Sequence, residues 1–166
     1  MHTSLQRQLA PPHDALIDLA ALTAGERVVD VACGAGLVTF AAAEAVGITG
    51  MVFGIDVSAA MVQQGRARAR ERGRRYVWFE RGAAERLPLP GGVFDAALCA
   101  FGLMFVADPH AALREMARVL ADGGRAVAAV RGVDDRLASA FRAVGFDEVT
   151  TTRIDEFVIV HGRKAR

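Results

Sequence analysis

Two acids and a pair of glycines in the first third of the chain have the types and spacing to bind a ligand. In the stretch VVDVACGAGLVTF, Val28 to Phe40, Asp30 sits inside an apolar strand and is followed by a turn that carries Gly34 and Gly36. A glycine turn feeding a helix N-terminus readily holds a phosphate on backbone N–H groups, but a carboxylate beside it repels one. In GIDVS, Asp56 lies at the carboxyl end of the next strand, twenty residues after Gly36. A carboxylate placed there can accept both hydroxyls of a ribose. The pattern suits a nucleoside ligand whose other end is cationic and carries no phosphate. Each residue also has a plain structural reading: the glycines as a tight turn, Asp30 as a strand-end acid, and Asp56 as the residue before a helix cap.

Two cofactors compete for this pattern. The dinucleotide fingerprint G-x-G-x-x-G needs a third glycine for close helix–strand packing, and here that position is Thr39. S-adenosylmethionine has an ammonium, a sulfonium, a ribose and an adenine, and no phosphate. Asp56 serves either nucleoside, so Asp30 and the missing glycine favour S-adenosylmethionine over a nicotinamide cofactor.

These residues need a frame that brings successive strand ends together. The 166 residues suffice for one buried core, and the 52% hydrophobic content divided by glycine turns describes a globular α/β chain. Helical spacing runs over His13–Leu22, Leu37–Val46, Ser58 to about Arg72, Pro109 to about Leu120, and Asp134–Val144. Strands are expected at Arg27–Val31, Met51–Ile55, Tyr76–Glu80, Val93–Cys99, Arg125–Val130, Phe146–Thr152 and Ile154–His161. Alternating strands and helices require a parallel sheet covered on both faces. The last two strands lie too close for a crossover, so the final one must run antiparallel. The expected fold is a Rossmann-like doubly wound sandwich on a seven-stranded, mostly parallel sheet, with its ligand outside the carboxyl ends of the strands. A net charge of +1 supplies no overall field to recruit nucleic acid. Two cysteines and no secretory signal point to the cytoplasm. The longest apolar run, Ala96 to Ala107, is too short to span a bilayer.

The segments VVDVACGAG, GIDVSAAMV, RGAAERLPLPGGVFDAALC and REMARVLADGGR, in this order and spacing, resemble the class I S-adenosylmethionine-dependent methyltransferases. The nearest branch is that of the ubiquinone and menaquinone biosynthesis enzymes. The resemblance is strong from about Ala15 to Val130 and weaker through RAVGFDEV. It implies methyl transfer from S-adenosylmethionine to a small-molecule acceptor, leaving S-adenosylhomocysteine. It also implies particular contacts: Asp30, Gly34 and Gly36 along the methionine moiety, Asp56 on the ribose, and Val57 and Met61 flanking the adenine. Gly82, Ala83 and Ala84 fall at the adenine edge, and the backbone of Cys99 and Ala100 at the amino acid end. The family commonly has an Asp at the position of Ala83, accepting from the adenine amino group, and a Pro before Gly123-Gly124. A nicotinamide-dependent oxidoreductase, or a silent accessory protein of the same fold, is the alternative reading. One domain is expected over 1–166: an arm and helix over 1–24, a cofactor-binding core over 25–130, and a helix with a strand pair over 131–166. No metal is implied, and a homodimer is compatible with the family.

The activated sulfonium asks little of side chains, so no general base is assigned. His110, at a helix start, and His161, on the last strand, read as surface or packing residues. Arg66, Arg68, Arg70, Arg72, Arg74 and Arg75 read as a solvated helix end, because a spacing of two spreads side chains around a helix. Cys33 and Cys99 read as small thiols lining the site. Between the fifth strand and the following helix lie only Arg131, Gly132 and Val133. The resemblance implies a longer insertion at this point, so a lid over the acceptor pocket is expected to be missing near 131–134.

Overall fold

The computed structural model describes residues 12–132 and 135–166. Residues 12–20 form helix α1, and the order thereafter is β1 (Arg27–Val31), α2 (Leu37–Val46), β2 (Met51–Asp56), α3 (Ala59–Glu71), β3 (Val77–Arg81), β4 (Phe94–Ala100), α4 (Pro109–Val119), β5 (Leu120–Arg131), α5 (Arg136–Ala143), β6 (Phe146–Ile154) and β7 (Phe157–Lys164). Local chemistry accounts for the helix starts. Ser58 caps α3 by accepting from the Met61 N–H at 3.3 Å, and Asp108 caps α4 by accepting from the Ala111 N–H at 3.0 Å with Pro109 in the first turn.

The sheet order is β3-β2-β1-β4-β5-β7-β6. The pairings from β3 through to β5 are parallel, while β7 runs antiparallel to both β5 and β6. The expected antiparallel final strand is therefore present, inserted between β5 and β6. Strand order reverses between β1 and β4, which brings the ends of β1, β2 and β4 to one edge. β5 begins earlier than expected. Leu120 pairs with Phe94, then the ladder slips to Ala96 against Arg125, and the intervening glycine turn is carried as a bulge with Gly123 at φ 75°. α5 begins at Arg136 rather than Asp134, and residues 133–134, at the junction where a lid was expected to be missing, lie outside the described residues. Gly132 is described, and its N–H donates to the Glu156 carbonyl at 2.8 Å.

Strand period two divides the core between the two faces of the sheet. Val29 and Val31 pack with Leu113 and Met116 of α4 and Phe141 of α5. Val28 packs with Leu16 of α1, Val38 of α2 and Val62 of α3. Asp30 follows the parity of Val28 and faces α2.

Candidate functional site

The opening turn is organised by its acids. Asp30 is buried, and its Oδ2 accepts from the Thr39 hydroxyl at 2.6 Å. The residue in the place of a third glycine thus bonds the acid of the strand beneath it. At the second acid, Asp56 Oδ2 accepts from the Gly34 N–H at 2.8 Å and Oδ1 from the Ser58 N–H at 2.9 Å. One carboxylate therefore ties the glycine turn of β1 to the start of α3. Gly34 adopts φ 56°, and a Cβ added there would meet nothing within 4 Å. Gly36 is different: at φ 99° its added Cβ would fall 2.6 Å from the Phe79 ring, so it is the close-packing glycine of the pair.

Above the ends of β1, β2 and β4 lies a cavity of about 420 Å³, within the range of small-molecule sites. Gly34, Asp56, Val57, Ala83, Ala84 and Ala100 line it, together with Ala32, Glu85, Phe101 and Phe105. Asp30, Gly36, Met61 and Cys99 do not. Asp30 lies beneath the turn on Thr39, Gly36 against Phe79, Met61 half-buried on α3, and Cys99 buried in the core. The lining carries two carboxylates, Asp56 and Glu85, and no Lys or Arg. An anionic pyrophosphate is poorly suited to such a wall and a cationic ligand is well suited.

Three residues of this region have no motif to announce them. Glu85 accepts from the Ala107 N–H at 2.9 Å and so holds the segment that forms the cavity's outer wall. Phe101 adopts φ 65° at the end of β4, a conformation costly for a bulky residue, and it turns the chain into the cavity lining. The His13 ring meets Phe101 edge-on at a centroid distance of 5.4 Å, and its buried Nδ1 has no hydrogen-bond partner. Burial holds His13 below its ordinary pKa, with Asp14 opposing, so the imidazole is neutral near pH 7. His110 is exposed, and His161 lies on β7 opposite Val127, away from the cavity. Burial also pushes both thiols up, Cys99 to about 12, which makes them weak nucleophiles. Among the described residues no group of three or more His, Cys, Asp or Glu side chains could hold a metal. No described helix is long and apolar enough to cross a membrane.

Burial pushes Asp30 up to about 7; the Thr39 hydrogen bond opposes this shift and the charge of Asp56 reinforces it. Below the unfolded carboxylate value near 4, folded and unfolded chains both keep the proton. Between that value and about 7 only the folded chain keeps it, so this residue's contribution to stability falls as pH rises through the window. Asp30→Asn preserves an acceptor for Thr39 and removes the titration. Urea unfolding at pH 5.5 and pH 8 is expected to show the variant gaining on the wild type by roughly 1–3 kcal/mol at the higher pH. An equal difference at both pH values would rule out a raised Asp30 pKa.

A doubly wound sheet with β7 inserted antiparallel between β5 and β6, and an acid-lined cavity at its switch point, defines a Rossmann-like fold. The chain belongs to the ubiE/COQ5 methyltransferase family, whose sequence profile matches residues 8–151. It is 38% identical over 110 residues to aklanonic acid methyltransferase DauC of Streptomyces sp. strain C5, covering 66% of this chain and 50% of that protein. It is 42% identical over 103 residues to the demethylmenaquinone methyltransferase of Anoxybacillus flavithermus, covering 62% of this chain and 44% of that one. The chain thus spans about half the length of the curated relatives it matches. Among solved structures, a SAM-dependent methyltransferase from Aquifex aeolicus superposes with a TM-score of 0.78 at 20% identity, over 91% of this chain and 88% of that one. The [4+2]-cyclase SpnF superposes with a TM-score of 0.82 at 22% identity, over 93% and 81%. At such identities these likenesses concern the fold alone.

Proposed function

We propose that the cavity binds S-adenosylmethionine and that the protein transfers its methyl group to a small-molecule acceptor. The observation that carries this reading is the cavity wall: a strand-end carboxylate, Asp56, in a lining that has a second carboxylate and no basic residue. Asp56 would take the ribose hydroxyls on the lone pairs left free by Gly34 and Ser58, while Val57, Ala83 and Ala84 would flank the adenine. Gly34, without a Cβ, would let the methionine end approach the backbone near Ala100. Asp30 would act from beneath the turn, its negative charge favoured by a cationic ligand. Gly36, Met61 and Cys99 would shape the pocket from behind its lining.

The cofactor supplies a methyl group already activated on a sulfonium. The protein's task is then to align an acceptor with that group and to exclude water. Apolar side chains suit that task. Phe105 is 84% exposed at the cavity rim, where it offers a flat apolar acceptor a surface to lie on. DauC and the demethylmenaquinone enzyme are named for acceptors of their own, and they direct the choice of a test panel toward phenols and quinone precursors. We read residues 1–166 as one methyltransferase domain, working in a reducing cytoplasm as befits its free thiols. The test is turnover of methyl-labelled S-adenosylmethionine over phenols, amines and quinone precursors, paired with calorimetry. S-adenosylhomocysteine is expected to bind and NAD is not. Binding of NAD in place of S-adenosylhomocysteine would favour the oxidoreductase reading.

A further inference from the structure

The arginine run of α3 has no part in the cavity just described, and its arrangement differs from a scattered helix face. Arg66 and Arg70, four apart on α3, fall along one side of the helix, and Arg74 follows in the turn after it, just beyond Gly73. With Arg75 they line a groove of about 880 Å³ between the end of α3 and edge strand β3. This groove shares no lining residue with the cofactor cavity. Its wall is aromatic: Trp78, 40% exposed, stacks on Phe53 with centroids 5.0 Å apart and planes 19° from parallel.

Two of the four guanidinium groups are engaged. Arg66 donates to the Phe79 carbonyl at 2.9 Å and approaches Glu80 at 3.4 Å, while Arg74 meets the Tyr76 hydroxyl at 2.8 Å and also pairs with Glu44. The side chains of Arg70 and Arg75 make no hydrogen bond or ion pair with the described residues. Unbalanced positive charge thus stands beside an exposed indole, on a chain whose overall charge is only +1.

The geometry also bears on what kind of ligand fits. Tyr76 accepts from Val52 of β2, and Gly82 donates to Asp56 of β2, so the even-numbered residues of β3 face β2. The main-chain groups of Val77 and Phe79 point to the open edge, while their side chains are buried in the core. There the Val77 N–H is already taken by the Arg74 carbonyl at 3.3 Å, and the Phe79 carbonyl by Arg66. An added peptide strand would find its ladder partly occupied, so recognition falls to the side chains. A stacked ring and two free, planar cation forks match a nucleobase joined to phosphate.

We propose that this groove binds a nucleotide, free or within a single strand, with the base stacked on Trp78 and the phosphate held by Arg70 and Arg75. Trp78 is the chain's single tryptophan, so its fluorescence reports on this groove. The test titrates the full chain with uridine monophosphate and with a thymidine decamer, followed by that fluorescence. Pyrimidine ligands keep the adenine-binding cavity out of the measurement. Saturable quenching is expected. Two phosphate contacts on a single strand predict an affinity loss of about seven-fold between 50 and 200 mM salt. The exposed pair Arg70→Glu with Arg75→Glu is expected to weaken binding by roughly ten-fold or more, with an unchanged melting temperature. Equal affinity for both ligands assigns the groove to free nucleotides, and a preference for the decamer assigns it to single strands. The proposal is overturned by an absence of quenching at low salt, by quenching that the double variant leaves intact, or by a glutamate-rich peptide binding where both nucleotides fail.

Discussion

Asp56→Ala is expected to weaken S-adenosylhomocysteine binding by about 10- to 150-fold, which corresponds to roughly 1.5–3 kcal/mol for a lost charge-assisted partner. The carboxylate has two duties, and the substitution removes both. It would no longer receive the ribose hydroxyls, and it would release the Gly34 and Ser58 N–H groups that it holds at 2.8 and 2.9 Å. Asp56→Asn separates them. The amide keeps one acceptor oxygen, which can retain the bond to Gly34 while losing the charge. Isothermal calorimetry with S-adenosylhomocysteine, set beside ligand-free thermal unfolding, is the measurement. If the acid binds ribose, the Asn variant keeps most of its melting temperature and still binds weakly. If it only pins the turn, the Asn variant binds nearly as well as the wild type. Unchanged affinity in the Ala variant would remove Asp56 from the site.

What was legible in the sequence followed from local chemistry and strict period. β1 and α2 were readable because an apolar strand, a glycine turn and a terminating Gly47 leave little freedom. α3 was readable from Ser58 at its cap and α4 from Pro109 in its first turn. The antiparallel final strand followed from the short connection after β6. The cavity's position followed from topology, since only one edge of such a sheet collects the ends of β1, β2 and β4.

What was not legible depended on pairings across the fold. Thr39 read only as a missing glycine, because nothing local shows that its hydroxyl reaches Asp30 on the strand below. Glu85 sits in a loop without periodicity, and its hold on Ala107 spans 22 residues. His13 carries no motif, and only the packing of α1 against Phe101 gives it significance. The arginines read as dispersed because alternate spacing was weighed along a helix alone. Edge strand β3 then selects Arg66, Arg70 and Arg74 as one wall.

The largest stability effect is expected at the opposite end of the sheet, at Arg125. Its side chain is nearly buried, and it donates to the carbonyls of Ala20 and, at 3.0 Å, Ala21, and to both carboxylate oxygens of Glu26 at 2.9 and 2.7 Å. A single guanidinium thus fastens the C-terminal end of α1, and the turn after it, to β5. Burial works against the Glu26 charge, but the hydrogen bonds from Arg125 and from the Thr23 N–H outweigh it and hold Glu26 below its ordinary pKa. This contribution is present above the unfolded carboxylate value and is lost as pH falls below it. Arg125→Ala strands Glu26 and the carbonyls of Ala20 and Ala21, and is expected to cost about 3–5 kcal/mol. Arg125→Met combined with Glu26→Gln removes both charges while filling the space, and is expected to recover at least half of that loss in urea unfolding. A double variant as unstable as Arg125→Ala would show that the carbonyl contacts, and not the ion pair, hold the helix. Because α1 carries His13 onto Phe101, loosening the clamp reaches the cavity at the strand ends from the far end of the helix. The Ala variant is therefore also expected to bind S-adenosylhomocysteine more weakly, although none of its altered atoms lines the cavity.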